Sequence, residues 1–171
     1  MVYEVSSGRL VATLQNTQHS RFSVDGSLLI GGNAKHLIVW STKDWSKVSD
    51  LPGGPDYVRR IAVCPEKDLV VVGGPEQARL LRLSSGEELA KVGNGWTNFA
   101  SFNRFGTVIF TYAGDFSVWD ASGKQLCSRP DIGNGTVAIS PNDRWLAGAP
   151  VKGGRSVAIW DLQNALTACG L

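Results

Sequence analysis

Two histidines and three cysteines are all that 171 residues offer for metal or thiol chemistry. Cys64, Cys127 and Cys169 are odd in number and far apart, and no CxxC pair exists. Zinc-finger spacings and a disulfide framework are therefore unsupported. The expectation is three small apolar thiols in strands, and with it a reducing, cytoplasmic setting. Asp115, Asp120, Asp143 and Asp161 lack the spacing of a calcium loop. Also missing are a Gly-x-Ser-x-Gly elbow, a phosphate-binding Gly-x-x-x-x-Gly-Lys and a His-Glu-x-x-His pair. No cofactor and no catalytic residue is implied. His19 and His36 lack any identifiable catalytic partner.

Long apolar runs are absent too. No segment approaches the ~20 residues of a membrane-crossing helix. The opening MVYEVSSGRLVATLQ has no basic stretch followed by an apolar one, so no signal peptide is expected. Neither sign of charge dominates: 17 basic against 15 acidic residues gives +2. That supplies no drive toward nucleic acid or an anionic membrane. Arg59-Arg60 is too short a basic run to change this. Before Gln163 no stretch carries apolar residues at helical spacing over a helical length.

What is abundant is glycine, 20 residues in all, or about 12% against a usual ~7%. It falls in a repeat. Four versions of one phrase occur: Arg21–Leu28, Ala62–Leu69, Ser101–Val108 and Ala138–Trp145. Each has a large apolar residue, a polar turn and an apolar run. Phe22, Val63, Phe102 and Ile139 are 41, 39 and 37 residues apart. A second phrase ends at Trp40, Arg82, Trp119 and Trp160, spaced 42, 37 and 41. Gly93-Asn94-Gly95 recurs as Gly133-Asn134-Gly135. Those turns read as positions that need φ > 0, and Gly31-Gly32 and Gly73-Gly74 as strand ends. Short apolar runs bounded by Gly, Asn, Asp and Pro read as strands, about four per unit.

A period near 40 residues with Val118-Trp119-Asp120 and Ile159-Trp160-Asp161 resembles the WD-repeat β-propeller family. The resemblance covers the chain, and is stronger in the third and fourth units than in the first two. Trp40-Ser41 and Arg82-Leu83 replace the dipeptide there, and Gly54-Pro55 stands where the family has Gly-His. The resemblance implies an all-β propeller of about four four-stranded antiparallel blades, with Trp40, Trp119 and Trp160 in blade cores. Without the family's histidine, stability rests on apolar packing between blades.

The chain reads as leading strands within 2–14, then units at about 16–51, 52–92, 93–130 and 131–171. Residues 163–171 read as a weak final strand or a frayed end. The 17 or 18 strands do not divide into whole blades. In one reading Leu10–Leu14 completes the last blade and closes a four-bladed ring. In the other the chain is an open arc, completed by a second copy as a homodimer or by a longer parent.

In the family, residues entering the first strand of each blade line the face that binds proteins or peptides. Counting back from the repeated apolar column puts Gln18, Arg59 and Asn98 in one column. It puts His19, Arg60 and Phe99 in the next, and Tyr57 and Trp96 in a third. Tyr, Trp and Arg dominate binding hot spots, and Arg suits acidic or phosphorylated motifs. The resemblance thus implies a non-catalytic scaffold with a protein or peptide partner. Two alternatives stay open: an enzyme on a propeller scaffold (hydrolase, lyase or quinone-dependent), and an inactive fragment of a larger protein.

Overall fold

The computed structural model describes residues 1–17, 19–23, 25–33, 36–52, 57–93, 95–133, 137–150 and 156–170. The fold is all-β. A hairpin, β1 (Val2–Tyr3) and β2 (Leu10–Ala12), leads the chain. Three four-stranded antiparallel meanders follow. The first holds β3 (His19–Phe22), β4 (Leu28–Asn33), β5 (His36–Ser41) and β6 (Lys47–Pro52). The second holds β7 (Arg60–Cys64), β8 (Leu69–Gly73), β9 (Ala78–Arg82) and β10 (Glu88–Val92). The third holds β11 (Phe99–Phe102), β12 (Val108–Tyr112), β13 (Phe116–Asp120) and β14 (Gln125–Arg129). A three-stranded sheet of β15 (Val137–Ile139), β16 (Trp145–Gly148) and β17 (Ala158–Asp161) ends the series. These sheets are propeller blades.

Each blade turns its two faces to its two neighbours, which explains the unbroken apolar runs. In β8, Val70 and Val72 face the first blade, in a cluster with Ile30, Leu37 and Val39. Leu69 and Val71 face the third, in a cluster with Phe102, Ile109 and Trp119. Alternation along a strand with period two, applied between two apolar neighbours, leaves no polar position. A third cluster joins Phe110, Phe116 and Val118 to Val137 and Leu146 of the last sheet. Trp40 and Trp119 are buried, and Trp119 Nε1 donates to Thr111 Oγ1 at 2.9 Å. Trp160 is half-buried at the edge of the third cluster.

One side-chain device repeats at the turn after the first strand. Ser23 Oγ accepts from Leu28 N, Asn103 Oδ1 from Val108 N and Ser140 Oγ from Trp145 N. The side chain replaces a backbone partner and fixes the turn. The second blade uses a single 3-10 turn there instead.

The glycines divide into two kinds. Gly93, Gly95 and Gly133 have positive φ, as the turns require. Gly32 and Gly73 serve close packing. A Cβ on Gly32 would lie 2.8 Å from Val58, and one on Gly73 2.9 Å from Thr97. Gly54, Pro55, Asn94, Asn134 and Gly135 lie outside the described residues.

One open alternative is decided and two expectations are corrected. The arc is open: Val2 and Leu14 pack on Leu29, Ile38 and Trp40 of the first blade, and among the described residues β2 pairs only with β1. Leu10–Leu14 therefore does not complete the last sheet. Its far face carries exposed Val157 and Ile159. Second, the region read as a weak strand or frayed end begins with a helix, α1 (Leu162–Thr167). Asp161 caps it by accepting from Asn164 N, and Leu162 and Ala165 are buried. Apolar Leu162, Ala165 and Leu166 give it one packing stripe, too short to stand out as a period. Third, Cys127 on β14 and Cys169 after α1 form a disulfide, with Cα atoms 5.6 Å apart. The helix turns the chain back onto the third blade, which the spacing alone did not reveal. Only Cys64 is a free thiol, and its burial pushes its pKa up. The pairing removes the thiol argument on which the cytoplasmic expectation rested. No helix among the described residues is long and apolar enough to cross a membrane.

Candidate functional site

The first strands β3, β7, β11 and β15 stand side by side along the concave side of the arc and line one groove of about 400 Å³. That lies within the roughly 300–1,000 Å³ of ligand pockets. Each of these strands is the terminal strand of its sheet, paired on one side only.

The rim is built by a repeated anchor. Val58 and Thr97 are fully buried, seated on Gly32 and Gly73 of the preceding blade. Backbone bonds fix the same segments: Thr97 N donates to Gly74 O, Arg59 N to Gly73 O and Asn98 N to Tyr112 O. Beside each anchor stands an aromatic left in solvent, Tyr57 at 44% exposure and Trp96 at 48%. Glycine at the contact lets the anchor sink, and the neighbouring ring is held out without being free to collapse.

Contacts then run from blade to blade. The rings of His19 and Tyr57 meet edge-on with centroids 5.9 Å apart. The Arg59 guanidinium lies 5.2 Å from the Trp96 ring centroid, a cation–π distance. Arg60 Nε donates to Asn98 O at 2.6 Å and its Nη1 to Arg59 O at 3.1 Å. Phe99 opens β11, half-buried against the third apolar cluster.

The structure thus brings His19, Tyr57, Arg59, Arg60, Trp96, Asn98 and Phe99 to one side of the arc. His19, Arg59, Arg60 and Phe99 line the groove itself; Tyr57 and Trp96 contact those lining residues, and Asn98 contributes its backbone carbonyl. Gln18 lies outside the described residues. Sequence reasoning missed Arg21, which is exposed on β3 and also lines the groove. The signal was present: Arg21 immediately precedes the repeated apolar column, at the position of Ser101 and Ala138, which line the groove too.

The groove's chemistry is cationic and aromatic. Among the described residues, no Asp or Glu lines it. Ser101 Oγ donates to Phe102 O, and among the described residues no hydrogen bond joins His19 to Ser20 or Ser101. Nor do three or more His, Cys, Asp or Glu side chains gather as a metal site among those residues.

The fold defines the class: a β-propeller, here an open arc of blades. No family model and no curated protein sequence matches the chain. Solved structures share its fold. Hydrazine synthase from Kuenenia stuttgartiensis superposes with a TM-score of 0.72 at 18% identity, over 94% of this chain and 50% of that one. A chain of a mitotic checkpoint complex gives 0.74 at 15% identity, over 95% and 54%. At these identities the likeness is one of fold. The chain spans about half the length of the solved chains it matches.

Proposed function

We propose that the chain is a non-catalytic interaction scaffold of the WD-repeat kind, whose concave side holds a protein or peptide partner. One observation carries the reading. Two aromatic side chains, Tyr57 and Trp96, are held exposed by buried anchors and flank Arg59. Exposing large rings opposes burial of apolar area, and rigid Tyr, Trp and Arg groups are what binding hot spots are made of. The mitotic checkpoint complex lends support as a protein assembly that contains this fold.

The test is an unbiased peptide array probed with the full chain, followed by titration of the strongest hit. Trp96→Ala, folded by circular dichroism, should weaken that hit by more than ~1 kcal/mol, or about fivefold. A folded Trp96→Ala chain that binds every hit as the parent does removes the assignment.

A further inference from the structure

We propose that the concave groove selects an acidic polypeptide segment, bound extended against Arg21, Arg59 and Arg60. The proposal rests on the partner-binding reading above and specifies its ligand. Four arginines outside the groove sit against carboxylates: Arg9 with Glu4, Arg79 with Glu88, Arg82 with Glu87 and Arg129 with Asp131; Arg104 and Arg144 instead stand singly over the rings of Phe105 and Trp145. Among the described residues, no carboxylate lies within ion-pair distance of Arg21, Arg59 or Arg60. Among the described residues, three guanidinium groups without a carboxylate partner thus line one concavity, and no Asp or Glu stands in its wall. The two carbonyls that hold Arg60 fix its position and leave its charge uncompensated. A concave, one-signed surface concentrates its field and draws in anions.

The backbone decides between kinds of anion. β3, β7, β11 and β15 each leave one edge unpaired. A free edge offers N–H donors and C=O acceptors in alternation. An extended polypeptide backbone supplies both complements, whereas a phosphodiester backbone supplies acceptors alone. Acidic side chains on such a segment reach guanidinium forks that bind carboxylates in pairs. The groove's size suits a short segment, not a folded domain.

The experiment titrates the full chain with a labelled short polyglutamate peptide, polyglutamine of equal length and oligothymidine of equal charge. Polyglutamate should bind about tenfold tighter than polyglutamine and weaken as salt is added. Arg21→Ala and Arg59→Ala should each weaken it about fivefold, and Arg21→Lys should recover much of the loss. Lys43→Ala removes the same charge from an exposed turn outside the groove and should leave binding unchanged. Equal binding of polyglutamate and polyglutamine overturns the proposal. So does a Lys43→Ala effect as large as that of Arg21→Ala, or tighter binding of oligothymidine. If the array yields Trp96-dependent binders without acidic residues, the partner-binding reading stands and the acidic specificity falls.

Discussion

Cutting the bond between Cys127 and Cys169 is the perturbation with the largest calculable effect. The two residues are separated by 42 positions. Closing a loop of that length removes conformational entropy from the unfolded chain and so stabilises the fold by about 4 kcal/mol at 25 °C. A domain's whole stability is only about 5–15 kcal/mol, so the bond is a major contribution. The helix it anchors keeps other ties: Leu162 and Ala165 are buried, and Arg129 Nη1 donates to Ala165 O at 3.2 Å. Loss of the bond should therefore destabilise the fold without abolishing it. The assay is urea unfolding of the oxidised chain, the reduced chain and the Cys127→Ser/Cys169→Ser double variant. With a slope of ~2–3 kcal/mol per molar urea, the midpoint should fall by about 1.3–2 M in both altered forms. Cys64→Ser should preserve the oxidised–reduced difference, because Cys64 is unpaired. Thiol titration of the unfolded, unreduced chain should count one free thiol. Coincident oxidised and reduced curves, or three free thiols, would refute the pairing.

Gly32→Ala should cost about 1–3 kcal/mol through overpacking, since the added Cβ would lie 2.8 Å from Val58; Val58→Ala in the same chain should recover part of the lost thermal midpoint, and simple additivity would contradict the contact. Acid should lower the chain's stability through its turn aspartates. The Ser23 and Ser46 hydroxyls hold Asp25 and Asp44 below the usual 3.8. Ser122 does so for Asp120, and Arg129 for Asp131. Because the folded values lie below the unfolded ones, the stabilisation is complete above the unfolded value and lost as pH falls through the folded ones. The thermal midpoint should hold down to about pH 4.5 and then drop toward pH 2; a midpoint unchanged over that interval would contradict these bonds.

Sequence alone determined the strands and their grouping. A strand is a local object, and the spacing of Phe22, Val63, Phe102 and Ile139 marks four units without knowledge of how they meet. The same register placed Tyr57, Arg59, Trp96 and Phe99 at equivalent entries to strands, because equivalent positions in a repeat occupy equivalent places. Phe22 shows where the rule weakens: its counterparts Val63 and Phe102 are buried, while it is exposed.

Tertiary structure decided what depends on distance across blades. Whether the ring closes follows from the rotation summed over every blade, which no window of sequence contains. The disulfide depends on α1 turning the chain back across one whole repeat. Gly32 and Gly73 read as strand ends until Val58 and Thr97 were seen against them. Arg21 joined Arg59 and Arg60 only when β3 and β7 came side by side. Hydrophobic period is written residue by residue; the concavity and the meeting of its arginines exist only between blades.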